Sequence, residues 1–415
     1  MSRVPVIPLL LVSLLFLMWG VANNMNDTLL AAFRRIMSMS DLQSSLVQMA
    51  FFGAYFCFSL PAALFIRRRS YKAGIILGLG AYALGTMLFY PAGEAASYGF
   101  FLLAIYVMAS GCSILETTAN PYILAMGPPE TATRRLNIAQ TFNPCGAIIG
   151  ILLSRHFILS ELQDADAAQR SEMSAEALRA MQSGEFSAVS GTYMLIGAIL
   201  LVLLVVILCV KMPALRDDAR QQPLGPTFRS LLRSRTYLRG VVTQFFYVGA
   251  QTCMWSFTIR AVMAETGGRE SGAAMVFLYS ILAFTLFRFL FTWLMKYVAP
   301  VKLLLVAAVG ALGAVGVVVF GHGTAVIVAL VATSAAMSLM FPTIYGITLE
   351  GIDPDTAKIA SSGLIMAIVG GAVITPLQAA LSDSVGISAS FAVPAICFLI
   401  ILIYAIVTIH ARKQQ

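Results

Sequence analysis

Charge is what this chain has least of. Of its 415 residues only 11% are Asp, Glu, Lys or Arg, against about one quarter in soluble domains, so a water-soluble fold is excluded. Histidine is scarcer still: His156, His322 and His410 are three in number and lie at span ends or in loops, which leaves no material for a histidine metal cluster. The six cysteines (Cys57, Cys112, Cys145, Cys209, Cys253 and Cys397) lie in apolar runs without C-x-x-C spacing, and read as core packing rather than metal ligands or disulfides. No G-x-x-x-x-G-K-S/T run and no nucleophile motif occurs. A primary pump or an enzyme is therefore not expected, nor is any cofactor or metal.

Apolar sequence fills the space left by charge, at 59% of residues. Runs such as Val4 to Val21, Tyr193 to Val210 and Ala389 to Ile409 are long enough, at about 1.5 Å per helical residue, to cross roughly 30 Å of hydrocarbon. Twelve spans are predicted, at 6–33, 43–66, 72–92, 98–126, 134–156, 189–211, 237–262, 270–296, 301–320, 325–349, 358–382 and 388–410. Arg3 ahead of the first run could be taken for a signal peptide ending near Ala22, but cleavage there would strip a polar motif of its helix. The formal charge of +8 does not point to nucleic acid, because the basic residues sit in short tracts beside apolar runs, as lipid headgroups favour. With the N-terminus inside, cytoplasmic segments hold 19 of the 27 Lys and Arg and external segments hold 7. Arg288 remains, inside span eight. This bias predicts both termini in the cytoplasm; the expected location is a bacterial inner membrane and the expected state a monomer.

Two loops stand out by length. Residues 157–188 carry six acids and a helix-like stretch from Ser174 to Gln182, which suits an external cap. Residues 212–236, with Pro213, Pro223, Gly225 and Pro226 among basic side chains, suit a cytoplasmic linker. The expected domains are thus an N-terminal six-helix half, 1–211, and a C-terminal half, 237–415, joined by 212–236. Internal symmetry agrees: Asn120-Pro121-Tyr122-Ile123 in span four recurs as Phe341-Pro342-Thr343-Ile344 in span ten, and Arg135 before span five is matched by Lys358 before span eleven. The fold class expected is an all-α membrane protein of twelve transmembrane helices in two pseudo-symmetric halves, the major facilitator architecture.

A carboxylate at mid-membrane costs at least about 2.5 kcal/mol, so an acid inside a span is a functional candidate by default. Asp27 closes the run Ala22-Asn23-Asn24-Met25-Asn26-Asp27, with Asn23 four residues before it on one helix face. Glu116 shares a stripe with Ser113 and Asn120, and Pro121 follows to bend the helix. Burial disfavours the charged form of a carboxyl, which lets such a group take and release a proton, as proton coupling requires. The bland alternative for Asp27 is a wetted position near the external end of span one. Amides recur in span five at Asn137, Gln140 and Asn143, followed by Pro144. Span seven places Gln244, Tyr247, Gln251 and Trp255 along one face. Amides both donate and accept, and aromatic faces stack on the C–H side of a pyranose, so this set suits a hydroxyl-rich neutral ligand. Interhelical hydrogen bonding is the competing use of the same amides. Arg288, about two turns from the end of span eight, is read as snorkelling or bonding to helix-end carbonyls. Arg67-Arg68-Arg69 is read as a topology signal, and Gly363, Gly370 and Gly371 with Pro376 as sites of close helix packing and bending.

The segments Trp19-Gly20-Val21-Ala22-Asn23-Asn24-Met25-Asn26-Asp27, Ser70-Tyr71-Lys72-Ala73-Gly74, Leu115-Glu116-Thr117-Thr118-Ala119-Asn120-Pro121, Arg135 to Asn143 and Tyr247-Val248-Gly249-Ala250-Gln251-Thr252 resemble the fucose permease branch of the major facilitator superfamily, the fucose:proton symporters. The resemblance runs over nearly the whole chain. It implies that Asp27 and Glu116 serve substrate binding and proton coupling, that Gln140 and Asn143 lie near the sugar, and that the partners are L-fucose or a related hexose and a proton. Pro144-Cys145 departs from the family pattern. The full expected set is Asp27 and Glu116 for coupling, with Asn23, Asn26, Asn120, Gln140, Asn143, Gln244, Tyr247, Gln251 and Trp255 for sugar. An efflux antiporter of sugars or drugs is disfavoured by the amide-rich site, and a non-transporting sensor by the lack of a sizeable soluble domain.

Overall fold

The computed structural model describes residues 5–37, 41–162, 169, 173–213, 223–267 and 270–413. The side chains of Asn26 and Asp27 lie outside the described residues, although both positions are helical. Secondary structure is helical throughout the described residues. Spans one, two and four are Val6–Ile36, Asp41–Arg68 and Tyr98–Ala125, and spans six to nine are Ala175–Cys209, Arg235–Thr266, Glu270–Leu294 and Pro300–Phe320. The remaining five are interrupted: span three runs Tyr71–Met87 then Phe89–Glu94, span five Ala132–Gln140 then Phe142–Leu153, span ten Thr324–Met337 then Met340–Leu349, span eleven Pro354–Met366 then Gly370–Val385, and span twelve Ile387–Ser390 then Ala392–Lys413.

Among the described residues, 11 helical segments are long and apolar enough to cross a membrane. Span seven stands apart from that group although its helix has 32 residues, because it carries Arg235, Arg239, Gln244, Gln251, Arg260 and Glu265. Two expectations change. The stretch from Ser174 to Gln182 is not a separate cap: it forms the first turns of a continuous 35-residue helix, Ala175–Cys209, with the Ser174 hydroxyl accepting from the Ala177 amide at its start. Gly184 alone costs a helix only about 1 kcal/mol, and Phe186 holds the stretch by packing 5.2 Å, centroid to centroid, from Phe101. The expected linker contains a helix, Leu224–Arg233, which Pro223 precedes and which accepts Pro226 in its first turn.

The helices pack as two bodies, Pro5–Ala119 with Cys145–Ala214, and Asn120–Pro144 with Leu215–Gln415. In the first, span three lies along span six, where Phe89 and Tyr193 stack at 3.9 Å and Ser190 donates to the Phe89 carbonyl at 2.8 Å. Lys72 reaches the last turn of span six and donates to the Leu208 and Val210 carbonyls at 3.0 and 2.8 Å, groups that a helix end leaves without amide partners. In the second body, span seven is the central post, packed by spans eight, ten, eleven and twelve. Gly370 sits so close to it that a Cβ would overlap the Phe245 carbonyl oxygen, and Gly363 faces the Tyr237 hydroxyl. These two glycines act as the packing residues expected. The cysteines divide: Cys112, Cys253 and Cys397 are buried and Cys145 is half-buried, but Cys57 and Cys209 are exposed. Core packing accounts for part of the set only, since the latter two lie on outward faces of spans two and six.

Candidate functional site

In the first body the polar centre is Glu116, 3% exposed on span four. Span four is pinned by the small residues of span three: Gly74 approaches Thr118, Gly78 approaches Leu115, and Gly85 approaches the backbone of Met108. Such contacts bring helix backbones together and fix the side chains they carry. One turn before Glu116, the buried Cys112 lies beside the Tyr55 hydroxyl, and both are near Glu116. The Tyr55 hydroxyl accepts from the Trp19 indole N–H. Ser113 donates to the Tyr55 carbonyl and lies against the Ser59 hydroxyl, both at 3.3 Å. Glu116 on span four is thereby linked to spans one and two through Tyr55, a pairing that sequence reasoning missed because Trp19 and Tyr55 look like apolar filling. Asn23 is half-buried in span one, and Asn24 folds back on its own helix, its amide 3.4 Å from the Gly20 carbonyl.

In the second body the polar residues gather where spans five and ten break. Span five is interrupted at Thr141, and span ten at Ser338 and Leu339. Gln140 donates to the Asn120 side-chain oxygen at 2.8 Å, both fully buried, and Asn137 donates to the Thr343 hydroxyl at 3.3 Å. Tyr247 on span seven donates to the Met337 carbonyl at 3.1 Å. Trp255, two turns further on, is partly exposed; its indole N–H points to the Ser334 hydroxyl at 3.3 Å and its ring meets Phe284 edge-on at 5.1 Å. Gln251 and Asn143 are half-buried. Gln244 is fully buried, yet neither its oxygen nor its nitrogen has a hydrogen-bond partner among the described residues. Leaving a buried amide unpaired costs about 1–3 kcal/mol per group.

The span-seven face and the span-five amides therefore lie in one body, with Asn120 and Gln140 in direct contact. Tyr247 differs from expectation in that its hydroxyl is committed to a backbone carbonyl, which leaves only its ring for contact. Arg288 does not snorkel. It is 3% exposed and bonds to helix-end carbonyls, the second of the two readings given above. Gln378 on span eleven was missed; its nitrogen is 3.4 Å from the Ser390 hydroxyl and its oxygen has no partner among the described residues. An amide inside an apolar run was the available signal. Apart from Arg288, which is committed to backbone carbonyls, the second-body cluster consists of amides and hydroxyls flanked by an aromatic ring, a chemistry that suits polyols.

Residues 9–367 match the sequence profile of the Major Facilitator Superfamily. The chain belongs to that superfamily. Within it, the L-fucose-proton symporter of Escherichia coli (strain K12) is 38% identical over 410 residues, covering 97% of this chain and 93% of that one. The L-fucose-proton symporter of Haemophilus influenzae is 39% identical over 414 residues, covering 96% of each. Among solved structures, the major facilitator transporter FucP in the outward conformation superposes with a TM-score of 0.90 at 37% identity, covering 98% of this chain and 99% of that one. The fucose permease resemblance read from the motifs is borne out at nearly full length, as is the twelve-span major facilitator fold. This superfamily is one of multi-pass membrane transporters rather than a class of enzymes.

Proposed function

We propose that this chain imports L-fucose or a closely related hexose together with a proton across a bacterial inner membrane, as a monomer with both termini in the cytoplasm. The geometry that carries the reading is a carboxyl, Glu116, buried among hydroxyl, thiol and indole groups. The two relatives are L-fucose-proton symporters, which supports this sugar and this coupling ion. In this reading the halves 1–211 and 237–415, joined by 212–236, rock around a midplane site.

Sugar entering from outside is held by Gln140, Asn143, Asn120, Gln244 and Gln251, and stacks on Trp255, while Asn23 and Asn26 contribute from span one. Protonation of Asp27 or Glu116 neutralises the carrier and allows the loaded form to reorient, after which sugar and proton leave inward. Purified protein in liposomes, given labelled L-fucose, tests this. Uptake is expected to alkalinise the medium and to stop with a protonophore. Uptake that ignores the protonophore but requires sodium overturns the proton assignment. Absence of fucose flux, with flux of another hexose, moves the substrate but not the chemistry.

A further inference from the structure

Where a helix breaks, its last carbonyls lose their amide partners, and the break carries the negative end of the helix dipole. Spans five and ten both break inside the second body, and both breaks are served by one side chain. Arg288 donates from Nη1 to the carbonyl of Gln140, the last residue of Ala132–Gln140, at 2.9 Å. From Nε it donates to the carbonyl of Ser338, which caps Thr324–Met337, at 2.6 Å. The guanidinium rests over the Phe284 ring, 4.7 Å from its centroid, and Phe284 is the ring against which Trp255 packs. Along the same seam, Asn137 bonds to Thr343, and a Cβ at Gly346 would come within 2.6 Å of the Thr133 hydroxyl. The first half of span five thus lies tightly on the second half of span ten.

We propose that Arg288 is the latch of this seam. It holds the break of span five against the break of span ten, positions Gln140 for the sugar, and has to release at least one carbonyl before the carrier opens on that face. A planar guanidinium presents several N–H groups in a rigid fork and so serves two diverging carbonyls at once, whereas an ammonium is a point donor. Phe284, shared between Arg288 and Trp255, places the latch in mechanical contact with the ring on which the sugar stacks. The purpose given to the latch rests on the transport cycle proposed above, but its existence does not.

The test measures access to the seam. Thr133→Cys, in a background with the six native cysteines replaced by serine, is labelled with a membrane-impermeant maleimide in right-side-out and inverted vesicles. With Arg288 present, labelling is expected to be slow. Arg288→Gln is expected to accelerate it at least about fivefold from one membrane face, and Arg288→Lys to give a smaller rise, because the charge remains and the fork is lost. A control, Thr192→Cys in the buried part of span six, is expected to label at an unchanged rate. Labelling at position 133 that is unaltered in either Arg288 variant, when that variant elutes as a single folded species, overturns the latch. So does equal acceleration at position 192, the mark of general loosening. If Arg288→Gln does not fold, Arg288→Lys alone decides on the same criterion. Fucose flux of the native protein, read in the same vesicles, tests the proposed function separately: its absence would remove the sugar while leaving the labelling result to judge the latch.

Discussion

Glutamine at position 116 keeps the shape of glutamate and freezes it in the neutral state. Glu116 is 3% exposed on a span-four helix that glycines of span three hold fast, so the replacement has room for nothing larger and needs nothing larger. An ionised carboxylate there carries a desolvation penalty of several kcal/mol, which glutamine does not. Glu116→Gln is therefore expected to fold and to melt no lower than the native protein. Its cost falls on coupling. One proton per sugar is worth about 2.3 kcal/mol per 100 mV, enough for roughly fifty-fold accumulation of a neutral solute. Accumulation in the variant should collapse to the outside concentration. Counterflow, which needs only the loaded neutral carrier to reorient, should survive.

The pH dependence separates the two proteins as well. Native counterflow should decline as pH rises, because the ionised form cannot reorient, and counterflow by Glu116→Gln should be flat. Glu116→Ala should be worse than Gln in both assays, since it also leaves a cavity in a closely packed stretch of span four. The measurements are counterflow and membrane-potential-driven uptake of labelled L-fucose in proteoliposomes. Asp27→Asn is the comparison: if that variant shows counterflow without accumulation while Glu116→Gln still accumulates sugar, the proton belongs to Asp27 and the reasoning from burial is refuted.

Trp255→Ala should weaken fucose binding about two- to thirteenfold, the value of an aromatic contact of about 0.5–1.5 kcal/mol, with Gln251→Ala adding to it. Unchanged affinity in the folded double variant, measured by calorimetry, would reassign both residues to helix packing. Gly370→Ala places a methyl onto the Phe245 carbonyl and should destabilise by about 1–3 kcal/mol, whereas Gly313→Ala, which meets open space, should be neutral; thermal melts in detergent that fail to separate the two would contradict the packing of span seven. Lys72→Met removes the cap of span six and should speed hydrogen exchange at residues 205–210 while leaving span three protected.

Helix by helix, the spans were legible because hydropathy and length act locally. A run of apolar residues in lipid has to satisfy its own backbone, and a helix does so whatever its neighbours are. Span seven shows the limit: its amides and charges lower its hydropathy, and its place in the bundle is set by packing around it. The separate cap expected at Ser174 failed for a related reason, since whether a helix stops at Gly184 depends on what Phe186 finds to pack against.

Candidate residues were legible as types and not as partners. An acid, a row of amides and a lone arginine inside apolar sequence announce themselves by their insertion cost, so Glu116, Gln140, Gln244 and Arg288 could all be named from the chain alone. What each one does was decided by groups distant in sequence. Gln140 meets Asn120 across 20 residues, and Arg288 meets carbonyls 50 and 148 residues away. Those carbonyls are acceptors because Pro144 and Pro342, each four residues further on, lack the N–H that a helix would give to Gln140 and Ser338; that Arg288 takes both was decided by packing. Tyr247 and Gln244, three residues apart on one face, ended differently, the first bonded to Met337 and the second without a partner among the described residues. Local periodicity assigns a residue to a face. Which polar atoms on that face stay available for a ligand follows from the carbonyls and hydroxyls that neighbouring helices bring to it, and those are set by tertiary packing.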